Sequence, residues 1–140
     1  MKYAVDTNIL IYILEANPEF GAAALQLMEL LESRGDDLCV STLVFAEVSA
    51  YPGMTDQQAA ATCEAVHQME LAMQPLDEQI LRLAGKLRRD HRLKLADAIH
   101  IASALAAKAD YFVTNDVKLS KKAIAEIKFM NLEYKRLDEY

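Results

Sequence analysis

Short apolar runs that stop at a polar side chain, each followed by a stretch of helical period, constrain this chain more than any other feature. Tyr3-Ala4-Val5 stops at Asp6, and apolar residues 9–14 follow as the start of a helix. Leu38-Cys39-Val40 stops at Ser41-Thr42, either of which can cap the helix that would carry Glu47. Tyr111-Phe112-Val113 stops at Thr114-Asn115-Asp116, and a shorter run lies around Met73 to Leu76. Three-residue apolar runs read as buried strands, while the stretches between them repeat at helical spacing: Phe20, Ala24, Leu27, Leu31, then Ile80, Leu83, Ala84, Leu87. Strands separated by helices pair in parallel through crossovers. The expected fold is α/β: a three-layer α/β/α sandwich around a mainly parallel sheet of four or five strands.

Local signals mark the helix boundaries. Asn17-Pro18 reads as a helix start, with Asn as cap and Pro in the first turn. Gly35-Asp36-Asp37 breaks that helix, and Tyr51-Pro52-Gly53 ends the one carrying Glu47. Thr55 and Gln58 have capping-box spacing, and Asp77 can cap the next helix. Residues 95–107 are nearly all apolar and read as a buried helix; residues 123–132 have room for a turn and an edge strand.

The 140 residues, 53% of them hydrophobic, suffice for one core, so residues 1–140 read as one domain. No apolar stretch approaches the roughly 18 residues of a membrane span, and the first residues do not resemble a signal peptide. The expectation is a cytoplasmic protein without a membrane segment. Cys39 and Cys63 sit in apolar segments without paired spacing and read as buried free thiols. Net charge is −6, but its distribution is uneven: residues 1–80 carry 2 Lys/Arg and 13 Asp/Glu, residues 81–140 carry 13 and 8. Six basic residues fall within residues 82–94. Such a run is either a solvated helix face or a basic face for a polyanion.

Four acids stand out by position. Asp6 directly follows a strand, and Asp116 follows the end of another; in a parallel sheet both project from one edge, where ligand sites of open α/β folds lie. Glu47 is on the helix after the second strand, and Asp97 opens the buried helix among apolar neighbours. Each also has a structural reading: Asp6 as a helix cap, Glu47 as an exposed acid, Asp97 as a charge favoured by the helix dipole, Asp116 as a turn residue. An ionised carboxylate among apolar residues is costly unless paired, hydrogen-bonded or bound to a metal.

Val5-Asp6-Thr7-Asn8, Ala46-Glu47-Val48, the segment from Leu95-Ala96-Asp97 to His100-Ile101-Ala102, and Val113-Thr114-Asn115-Asp116 resemble, in order and separation, the four signatures of PIN-domain nucleases. The length resembles that of VapC-type toxin ribonucleases. The resemblance implies a divalent-metal-dependent endoribonuclease in which Asp6, Glu47, Asp97 and Asp116 hold Mg2+ or Mn2+, which activates water against the RNA phosphodiester. It also implies an antitoxin partner and a homodimer, with the Met-rich apolar helices as candidate contacts. Thr7, Asn8, Thr114 and Asn115 are then candidates to orient the carboxylates, and His100 is a polar neighbour packed beside them. Arg82, Lys86, Arg89, Lys118 and Lys121 are candidate RNA contacts. Three other readings are a stand-alone PIN ribonuclease in RNA processing, a phosphoryl-accepting α/β domain, and a non-enzymatic interaction module that kept a PIN fold. The second leaves Glu47 and Asp97 without a role.

Overall fold

β1 (Lys2–Val5) runs between β2 (Asp37–Ser41) and β4 (Tyr111–Val113), and every strand is parallel to its neighbours. β3 (Ala72–Gln74) adds outside β2 and β5 (Lys128–Met130) outside β4, giving the order β3-β2-β1-β4-β5. This is a computed structural model in which residues 1–132 are described.

Helices fill each crossover. α1 (Thr7–Leu14) and α2 (Gly21–Ser33) join β1 to β2; α3 (Val44–Val48) and α4 (Asp56–Gln68) join β2 to β3. α5 (Glu78–His91) and α6 (Leu95–Ala106) join β3 to β4, and α7 (Val117–Ser120) precedes β5. None of the helices among the described residues is long and apolar enough to cross a membrane.

The period of two along each strand divides the core into two. Tyr3, Val5, Leu38, Val40, Tyr111 and Val113 face α1 to α4, packing with Ile9, Leu10, Leu27, Leu31, Val44 and Val66. Ala4, Cys39 and Phe112 face the other way, against Ile80, Ala84 and Leu87 of α5 and Ile99, Ile101 and Ala102 of α6. Parallel strands covered on both faces need apolar residues at consecutive positions, which is why the strands read as unbroken apolar runs. Both cysteines are free, Cys39 buried and Cys63 half-buried.

The capping signals mostly hold. Thr55 and Gln58 form both bonds of the capping box at α4, and the Asp77 side chain accepts from Ile80 N at α5. Asn17-Pro18 acts differently: the Asn17 side chain accepts from Glu19 N and Phe20 N, closing a turn, and α2 begins only at Gly21. The delay lets α2 start against the end of α1. A Cβ on Gly21 would lie 2.9 Å from Tyr12 O and 3.2 Å from Ala16 C, both backbone. Gly21→Ala is therefore expected to destabilise the fold by about 1–3 kcal/mol, despite alanine's better helix propensity. Urea unfolding checks this; a variant as stable as the parent would mean the two helices do not meet this closely.

Candidate active site

The sheet order reverses direction at β1, so the crevice of this fold opens between the carboxyl ends of β1 and β4. Val5 pairs with Val113 in register, and Asp6 N donates to Val113 O at 2.9 Å. Asp6 is thereby fixed just beyond the sheet edge, only 6% exposed. It occupies the N-cap position of α1, yet its side chain makes no capping bond. Instead Oδ2 accepts from Thr114 Oγ1 at 2.7 Å. The Thr114 hydroxyl also accepts from Asp116 N at 3.1 Å, so this one threonine ties both strand ends together.

Asp116 serves partly in the structural role open to it: its Oδ1 accepts from Leu119 N and caps α7. Asp97 lies in the first turn of α6, half-buried. Burial raises its carboxyl above the usual aspartate range, and the charges of Asp6 and Asp116 raise it further. Burial likewise raises Asp6, with Glu47 adding to the rise; Thr114 and His100 oppose it. Among the described residues no Lys or Arg forms an ion pair with Asp6, Asp97 or Asp116.

Glu47 stands on the other side of Asp6. Its Oε1 accepts from Thr7 Oγ1 at 2.9 Å and is bonded to His100 Nε2. Thr7 Oγ1 lies 3.1 Å from the same ring nitrogen. Burial pushes the Glu47 carboxyl up, but these bonds and the His100 charge outweigh it and hold the group below the usual glutamate value. His100 is 3% exposed, and its Nδ1 has no partner among the described residues. The histidine, expected only to pack beside the site, is thus a direct ligand of one of its acids. The i,i+3 spacing from Asp97 already placed the two on one helical face; nothing in the sequence paired His100 with Glu47.

Asp6, Asp97 and Asp116 thus gather on one side, with Asp6 linking them electrostatically to the Glu47–His100–Thr7 group. Asn8 is exposed and Asn115 half-buried; among the described residues the side chains bonded to Asp6 and Glu47 are instead those of Thr114, Thr7 and His100. Among the described residues, no three His, Cys, Asp or Glu side chains sit tightly enough to enclose a metal ion. Oxygen donors of like charge at this looser spacing fit a small hard cation that keeps several of its waters, and poorly fit a soft metal needing a closed shell. The repulsion from Asp6 and Asp116, which adds to the effect of burial at Asp97, is the interaction such an ion would relieve.

The basic residues divide into two groups. Arg82 pairs with Glu78 and Lys86 with Asp90 along the exposed face of α5, and Arg89 is on the same outer surface. Lys118 instead lines a cavity beside the acids, with Arg92, Lys94 and Lys122; Lys121 is exposed next to it.

A family model described as PIN domain matches residues 3–125. Among solved structures, VapBC2 from Rickettsia felis, bound to a DNA fragment from its promoter, has a chain that is 22% identical. The match covers 94% of this chain and 98% of that one, with a TM-score of 0.73. VapBC-1 from nontypeable Haemophilus influenzae matches with the same coverage of both chains, 22% identity and a TM-score of 0.68. A toxin–antitoxin complex from Klebsiella pneumoniae matches at 24% identity over 89% of this chain and 94% of that one, with a TM-score of 0.66. At these identities the likeness establishes a shared fold. No curated protein matches the sequence.

Proposed function

This chain belongs to the PIN-domain family, and from that premise we propose that it is a divalent-metal-dependent endoribonuclease, the toxin of a type II toxin–antitoxin pair. The observation that carries the reading is the convergence of Asp6, Asp97 and Asp116 at the sheet's switch point, where burial and mutual repulsion outweigh the charge of nearby Lys94 and, among the described residues, no Lys or Arg forms an ion pair with any of the three. Structural likeness to chains from toxin–antitoxin complexes supports an antitoxin partner. The partner would cover the cleft, where a guanidinium can bind carboxylates through paired hydrogen bonds. Homodimerisation and a cytoplasmic location belong to the same reading.

In this reading Asp6 and Asp97 would be the principal holders of Mg2+ or Mn2+, with Asp116 and Glu47 assisting. When bound, the ion would supply an activated water and neutralise charge growing on the phosphate. Thr114 keeps the Asp6 carboxylate aimed from β1 into the crevice. His100 and Thr7 fix the orientation of Glu47 and keep it ionised. Water attack at phosphorus with cleavage of the P–O3′ bond gives a 5′-phosphate and a 3′-hydroxyl, the proton passing to O3′.

The test is cleavage of single-stranded RNA by purified protein with magnesium or manganese and with EDTA. Cleavage confined to the metal-containing reactions, yielding 5′-phosphate ends, is expected; metal-independent cleavage would overturn the assignment. If the product of an adjacent short reading frame neither binds nor inhibits the active protein, the toxin role fails and a stand-alone RNA-processing enzyme replaces it.

A further inference from the structure

A cavity of about 200 Å³ opens between the α5–α6 junction and α7, with room for several waters at ~30 Å³ each. Asp97 and Asp116 form its inner end, and Arg92, Lys94, Lys118 and Lys122 surround the rest. We propose that this cavity binds the phosphodiester of the RNA next to the one being cut, Arg92 and Lys122 being its principal contacts. The proposal rests on the ribonuclease reading and names where that substrate lies.

The local sequence choices around the cavity are poor for stability and good for holding an anion. Lys94 is the N-cap residue of α6 and makes no side-chain cap bond, since an ammonium has no acceptor to offer the free amides. It also adds positive charge at the positive end of a helix dipole. Arg92, two residues earlier, takes the left-handed conformation (φ 55°, ψ 42°) that glycine adopts without a Cβ penalty. Among the described residues, Ala16, Glu70, Lys108 and Glu126 also take a positive φ, so the conformation alone is not distinctive. Its consequence here is to set a guanidinium-bearing residue beside Lys94, Lys118 of α7 and Lys122 just after it.

Among the described residues none of these four cations forms an ion pair, whereas Arg82 and Lys86 on α5 are each engaged by an acid one turn away. Asp97 and Asp116 at the inner end offset part of this charge, and an anion lying between the cations would offset the rest. An RNA strand reaching the carboxylates passes along this rim, because Asp97 and Asp116 belong to both. Phosphate contacts of this kind position a strand without reading its sequence.

The experiment measures binding of an uncleavable 2′-O-methyl oligoribonucleotide, in EDTA, as a function of monovalent salt. Arg92→Gly, Lys122→Gln and their combination are compared with wild type and with the Arg82→Gln/Lys86→Gln control. Each lost phosphate contact should reduce the slope of log K against log salt by about 0.7, so the double variant loses about 1.4. The control should keep the wild-type slope. Arg92→Gly should unfold at a higher temperature than wild type, which separates lost binding from lost structure. A double variant with an unchanged slope overturns the proposal, as does a control that lowers the slope equally. Unchanged RNA binding with loss of binding to polyglutamate would reassign the cavity to an acidic protein segment and also overturn it. Wild type that cleaves RNA while the variants keep its slope sinks this proposal alone. Wild type that neither cleaves nor binds RNA removes the ribonuclease reading and this proposal with it.

Discussion

Asp97→Asn is expected to lower metal-dependent RNA cleavage by about 10³-fold, the rate equivalent of the several kcal/mol that a correctly held divalent ion supplies. The same change should stabilise the metal-free protein. Burial first, then the charges of Asp6 and Asp116, raise the native carboxyl above its unfolded value of 3.8. A group raised in the folded state favours folding at pH below its unfolded value, and that contribution is lost as pH rises through the native one. Asparagine has no such loss. In EDTA the two proteins should therefore differ least at low pH. The variant should pull ahead through the acid range, reaching a constant advantage above the raised value. Magnesium should reverse the order, because an ion bound only to the native state stabilises wild type and not the variant. Urea midpoints across pH, with and without magnesium, report both effects. Equal magnesium stabilisation of the two proteins would remove Asp97 from the metal site.

Phe112→Ala should cost about 3–5 kcal/mol, a large part of the ~5–15 kcal/mol that holds a domain of this size together. Phe112 is 1% exposed, packs edge-on against Phe129 and faces the α5–α6 layer from the middle of β4. Two residues later comes Thr114, whose hydroxyl holds Asp6. Loosening β4 thus reaches the site through the backbone, and magnesium should stabilise this variant less than wild type. Phe112→Leu, which keeps most of the volume, should lose far less. Equilibrium urea unfolding measures both; a loss under 1 kcal/mol for the alanine variant would contradict the two-sided burial of β4.

The strands around Ala4, Val40 and Phe112, the capping box at Thr55 and the cap at Asp77 were legible because each depends on residues within a few positions. α2 starts three residues later than Asn17-Pro18 suggests. Asn17 and Pro18 favour a turn as readily as a helix, and the steric fit of Gly21 against Tyr12 chose between them. Among the site residues, Thr114 was recognisable as a partner for a carboxylate, but not for which one. His100 looked like packing because its acid partner is 53 positions away. The basic run of residues 82–94 was visible as a run. Its division into an outer face at Arg82 and Lys86 and an inner rim at Arg92 and Lys94 depends on where α5 ends.

The chain alone determined which segments are strands or helices and which acids stand at their ends, because periodicity and capping act over a few residues. Tertiary structure decided which strand ends are neighbours. Only the order β2-β1-β4 brings Thr114 to Asp6 across 108 positions and sets Asp6 where it feels both Glu47 and Asp97. That order follows from burying both faces of the whole sheet at once, a requirement no local segment contains.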